Sequence, residues 1–187
     1  GENPHQAAAF FPHKERTSGD LIGAKQLQGK ALSYNNLLDA DTALRCAQCF
    51  DTQDNACIIV KHATPCGAAL GATLAEAYTR ALTTDPQSAF GGIIAVNKGI
   101  DAECAQRMIS SKQFVEVIVA PDISEEAQNI LAQKTNMRLL ITGHKDSTFE
   151  AQPIVHSVSG GILLQMPDTS KTSMDTWTIA SKIQPTA

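Results

Sequence analysis

A lysine and a histidine stand side by side at the end of a short apolar run, Ala56-Cys57-Ile58-Ile59-Val60-Lys61-His62. The β-branched middle of that run predicts a buried strand over about 57–61. In open α/β sheets, ligands collect at the carboxyl ends of parallel strands, and this is where the pattern puts Lys61 and His62. Histidine at such a place can serve as a general base near neutral pH. Lysine can stabilise negative charge developing on an oxygen. The bland alternative is a solvated strand end running into a loop.

Other segments carry weaker signals. Phe90-Gly91-Gly92 leads into Ile93-Ile94-Ala95-Val96, and the glycines would let a ligand approach the backbone closely. These glycines precede a strand and do not open a helix, so they are not a dinucleotide fingerprint, and an ordinary turn also explains them. His5 follows Pro4 in an extended segment, where a single histidine is ordinarily surface decoration. Asn36 stands before a helical stretch, where helix cap and ligand contact are both open. Zinc is not expected. Cys46 and Cys49 form a lone CxxC inside a helical pattern. The Pro65-Cys66-Gly67-Ala68-Ala69 run lacks the second cysteine that a deaminase centre needs.

The elements that must position these residues follow from periodicity. Helices are predicted over about 37–50, 73–82, 101–110 and 125–134, and further strands over 92–96, 115–120 and 137–142. Thr73 and Ser124 are candidate caps. Such alternation indicates βαβ units and a largely parallel sheet with helices on its faces. Residues 1–30, rich in Pro and Gly, read as extended or looped, with a turn near Ser18-Gly19-Asp20. After residue 142 the alternation ends. A polar loop (144–152), a Gly-Gly hairpin (154–168) and a final strand near the C-terminus are expected, with no linker between domains.

Composition agrees with a globular α/β domain. The chain has 187 residues, 43% apolar and 18% charged, enough to bury a core and unlike a disordered chain. A net charge of −4 and aromatic content of 5% argue against a nucleic-acid partner. No stretch approaches the ~20 apolar residues of a membrane span. The odd count of five cysteines, without a regular framework, points to free thiols in a reducing compartment, and hence to the cytoplasm. A first residue of glycine suggests that the chain is cut from something longer.

Taken together, GENPHQ, LQGKALSYNNLLDADTA, IIVKHATPCGAA, TDPQSAFGGIIAVN and FVEVIVAP, in this order over residues 1–182, resemble one family. It is the bifunctional purine biosynthesis family that joins AICAR transformylase to IMP cyclohydrolase. The resemblance implies a cytidine deaminase-like three-layer sandwich without the deaminase zinc. It also implies formyl transfer from 10-formyltetrahydrofolate to the exocyclic amine of AICAR. In that comparison His62 matches the proton acceptor, Lys61 the transition-state stabiliser, and His5 a residue orienting His62 or the substrate. Phe90 and Gly91 match a substrate-contacting pair, and Glu116 the position of an acidic ribose ligand that is Asp in some members. Asn36 is a weaker substrate candidate.

The resemblance further implies that residues 1–187 are the first half of a transformylase domain. The Arg-Tyr pair preceding the first glycine, the cyclohydrolase domain and the second half would then lie outside this chain. So would most folate contacts and a potassium site. The full-length protein is expected to be a homodimer with sites across its interface, and this chain alone to be inactive. The competing expectations are a nucleotide-binding module without catalysis and a zinc deaminase-like hydrolase.

Overall fold

Runs of β-branched residues too apolar to face water form the centre of a six-stranded sheet. A computed structural model describes residues 1–12, 18–144, 153–168, 170 and 173–183. The chain divides into two units, Gly1–Ser147 and Thr148–Ala187. The first unit holds β1 (Lys25–Gln28), α1 (Tyr34–Ala47), β2 (Asn55–Lys61), β3 (Thr64–Gly71), α2 (Leu74–Thr84) and β4 (Gly92–Val96). It continues with α3 (Ala102–Ser110), β5 (Val115–Ala120), α4 (Glu125–Leu131) and β6 (Arg138–Ile141). The sheet order is β1-β6-β5-β4-β2-β3.

Alternating strand residues feed two separate cores. Ile58, Val60, Ile93, Ala95, Val117 and Val119 pack with Ala40, Ala43, Leu44 and Ala47 of α1 on one face. Cys57, Ile59, Ile94, Val96, Ile118 and Ala120 pack on the other with Tyr78 of α2, Met108 of α3 and Leu131 of α4. Helix, sheet and helices thus make three layers, the architecture that buries both faces of a strand. Short polar side chains cap the helices. Thr73, Asp101 and Ser124 each accept a hydrogen bond from a backbone N–H in the first turn.

Several expectations need correction. The sheet is mixed, and parallel pairing is confined to β4–β5–β6. β2 runs antiparallel to β4. Lys61 and His62 therefore lie at the amino ends of the parallel strands, opposite to the expected place. Beyond the His62-Ala63 turn the chain does not run on as a loop, because β3 folds straight back on β2. β3 escapes notice because its residues are small, and a Cβ on Gly67 would collide with the Ala81 carbonyl of α2. The stretch expected to be extended or looped contains a short edge strand, β1, paired antiparallel with β6.

In the second unit the expected hairpin is present as β7 (Ile154–Val158) and β8 (Gly161–Gln165). The C-terminal strand is absent among the described residues, where a single 3₁₀ turn covers Met174–Thr176. The loop expected at 144–152 lies outside the described residues except for His144, as does the end of the last strand, 184–187. The division between units falls inside that same stretch, although the sequence shows no linker. Among the described residues, no helix is long and apolar enough to cross a membrane.

Candidate active site

Five of the seven residues singled out in the sequence line one cleft of about 150 Å³: Asn36, Lys61, His62, Gly91 and Glu116. Ser33, Asn35, Asp39 and Ile93 complete it. Four pieces of chain build it. These are the amino end of α1, the β2–β3 turn, and the starts of β4 and β5.

At the turn, His62 and Ala63 both have φ of 53°, and Lys61 pairs with Thr64 across them. The Ala63 N–H donates to Asp39 Oδ1 at 2.7 Å. The Lys61 Nζ donates to the Gly91 carbonyl at 2.9 Å. An ammonium has three donors, so two remain for a ligand. Gly91 has φ of +68°, and a Cβ there would stand 3.1 Å from Lys61 Nζ. Glycine at 91 thus serves both the backbone conformation and the seating of the lysine.

Glu116 reaches the cleft through a break in the ladder. Gly92 pairs with Val115 and Ile93 pairs with Val117, so Glu116 is one residue too many on β5. Such a bulge re-aims a side chain that strict alternation would send to the other face. Val115 and Ile118 enter the α2–α4 core and Val117 the α1 core. Glu116 Oε2 instead accepts from Asn36 Nδ2 at 2.9 Å and lies 3.8 Å from the Arg138 guanidinium. Arg138 is tied in turn by its Nε to the Ala31 carbonyl at 3.0 Å.

Asn36 is not the helix cap. Ser33 is, and Asn36 closes a capping box with it, its N–H donating to Ser33 Oγ at 3.1 Å and its Oδ1 accepting from the Ser33 N–H at 3.2 Å. With Nδ2 on Glu116, this buried amide is spent on holding the cleft wall.

The other two candidates lie outside the cleft lining. Phe90 is 62% exposed and tilts against Phe114, ring centroids 5.4 Å apart. His5 is exposed and, among the described residues, forms no hydrogen bond with His62. Its segment is joined to the mouth of the cleft by Asn35 Nδ2, which donates to the Glu2 carbonyl at 3.4 Å.

Cys66, next to the turn, donates its thiol weakly to the Ile59 carbonyl, and burial pushes its pKa up, so it is no ready nucleophile. Among the described residues, no group of three or more His, Cys, Asp or Glu side chains converges as a metal site would need. Sequence reasoning missed Asp39, Ser33 and Arg138. Asp39 was the most accessible of these, three residues beyond Asn36 and therefore on the same helical face.

The cleft thus presents an imidazole on a constrained turn, an ammonium anchored beside it, and a carboxylate held by an amide and a guanidinium. This set suits proton transfer and charge stabilisation on a hydroxyl-bearing substrate. A model of the AICARFT/IMPCHase bienzyme family matches residues 1–187, the whole chain. The chain belongs to the AICARFT/IMPCHase bienzyme family of purine biosynthesis.

Proposed function

We propose that this chain supplies the base, the cation and the ribose-side wall for formyl transfer from 10-formyltetrahydrofolate to AICAR. The single observation behind this reading is that Lys61, His62, Gly91, Asn36 and Glu116, drawn from separate segments, line one cleft. The AICAR amine is a poor nucleophile, because its lone pair is delocalised into the imidazole carboxamide. It attacks the formyl carbon and its proton passes to the His62 imidazole. The formyl oxygen becomes an oxyanion facing the Lys61 ammonium, whose bond to Gly91 keeps it from swinging away. Collapse re-forms the carbonyl and breaks the bond to N10 of the folate, and the proton that His62 accepted passes to that nitrogen, which returns the imidazole to its neutral form. Glu116 accepts from the ribose hydroxyls, with Asn36 and Arg138 holding it in place. Phe90 offers an apolar wall near Gly91, and His5 orients the bound substrate.

A volume of about 150 Å³ is below the roughly 300–1,000 Å³ of a complete small-molecule pocket. The cleft accordingly takes part of AICAR, and the folate wall comes from elsewhere in a longer, homodimeric, cytoplasmic enzyme. Residues 1–187 alone are then expected not to turn over.

The test is the intact enzyme with Lys61→Met, followed by tetrahydrofolate release. A fall in kcat of about 100-fold or more, with AICAR affinity changed only modestly, supports the oxyanion role. A change confined to affinity would make Lys61 a phosphate or ribose anchor instead.

A further inference from the structure

The turn that carries His62 is unfavourable by itself. A two-residue hairpin loop with positive φ at both central positions is normally built from Asn-Gly, Asp-Gly or Gly-Gly. Here the pair is His62-Ala63, each at φ of 53°. Histidine tolerates the left-handed region better than most residues, but alanine gains nothing there. Strained backbone of this kind persists only where its surroundings hold it. Within the turn itself, the one side-chain bond is weak, Thr64 Oγ1 donating to the His62 carbonyl at 3.4 Å.

The stronger hold comes from another element. Asp39 Oδ1 accepts from the Ala63 N–H at 2.7 Å. A carboxylate accepting from a backbone N–H is among the stronger kinds of hydrogen bond. Asp39 itself cannot drift, since its neighbours Ala40 and Ala43 are fully buried against the sheet. Helix α1 therefore fixes the carboxylate, and the carboxylate fixes the turn.

We infer that Asp39 is a positioning residue for formyl transfer, acting through the Ala63 N–H to keep the His62 imidazole in the cleft. This rests on the assignment of His62 as base. Only the acceptor oxygen is required for the task, so an amide at 39 can perform it. A glycine at 63 makes the support less necessary, because glycine adopts positive φ without penalty.

The experiment measures kcat and the AICAR KM of the intact enzyme for Asp39→Ala, Asp39→Asn, Asp39→Ala with Ala63→Gly, and His62→Ala with and without Asp39→Ala. Asp39→Ala should lower kcat by roughly 10- to 100-fold with KM within about 3-fold, the pattern of a loss confined to the transition state. Asp39→Asn should recover most of that loss, and so should Ala63→Gly in the Asp39→Ala background. Asp39→Ala should add nothing once His62 is alanine, since both act on one function.

Where Asp39→Ala does not fold, Asp39→Asn and the double variant decide. An inactive Asp39→Asn, or no rescue by Ala63→Gly, overturns the inference in favour of a role for the charge itself. Unchanged turnover in Asp39→Ala beside a dead His62→Ala overturns it alone. Normal turnover in His62→Ala overturns the base assignment, and the positioning role with it.

Discussion

The Lys61 ammonium donates to the Gly91 carbonyl at 2.9 Å, joining the end of β2 to the residue just before β4. The two residues are 30 positions apart in the chain, and the bond ties the proposed oxyanion cation to a backbone that only glycine suits. Gly91→Ala should therefore act twice. The left-handed φ of +68° would cost about 1–2 kcal/mol for a residue with a Cβ. The added methyl, 3.1 Å from Nζ, would force the lysine to give by a few tenths of an ångström. Urea unfolding should show the loss of stability, and steady-state kinetics of the intact enzyme a lower kcat. A variant with wild-type stability and rate would mean that the Lys61–Gly91 contact does not matter.

Asn36 joins helix capping to the cleft wall. Asn36→Ala removes one half of the capping box, worth about 1 kcal/mol by comparison with other caps. It also strips Glu116 of its 2.9 Å amide partner. The expected result is a modest fall in stability with a several-fold rise in the AICAR KM. Glu116→Gln should raise KM without the stability loss, because the capping box stays intact. If Asn36→Ala were destabilised but bound AICAR normally, the capping role would be its only role.

The cysteines predict an alkaline limit. Burial pushes the Cys104 thiol up to about 12 from an ordinary 9.0, and raises Cys57 beside it well above that value. The folded chain then keeps these protons at a pH where the unfolded chain has lost them. The Cys104 contribution to stability is full below about pH 9 and is lost as pH rises toward 12, at up to about 1.4 kcal/mol per pH unit, and that of Cys57 falls in the same direction. Unfolding measured from pH 8 to 10.5 should steepen accordingly, and Cys104→Ala should flatten the slope. Exposed Cys49 should be alkylated well before either buried thiol.

Much of the fold is legible in the sequence, and the failures are physical. β4 and β5 were placed to the residue because GIIAV and VEVIVA are fully or nearly fully buried strands with little else to be. β3 was invisible because Gly67 and Gly71 serve close approach to α2 and the residues between are mostly small, a pattern without strand periodicity. β1 could not be told from a loop because Lys25–Gln28 carries one apolar residue, Leu27, too few for alternation to declare a strand. The direction of β2 followed from neither periodicity nor composition. That reversal put the Lys61-His62 end of the sheet opposite to where the parallel-strand rule placed it.

The site was legible as a set of residue types but not as a geometry. Lys61, His62 and Gly91 were singled out by spacing and chemistry, and they meet. Glu116 would have been assigned to the other face by alternation alone. The bulge that turns it toward Asn36 depends on how β4 and β5 register, which no local pattern in VEVIVA records. Asp39 passed as one more polar residue on a helix, because its partner is a backbone N–H 24 positions away.

If His62 takes the proton from the AICAR amine, His62→Ala in the intact enzyme must lose the chemistry and keep the binding, read by single-turnover formyl transfer beside AICAR binding by calorimetry. Formyl transfer should fall by at least about 100-fold, within the usual range for loss of a general base, with AICAR affinity reduced only a few-fold. Near-normal formyl transfer in that variant would contradict the base role of His62.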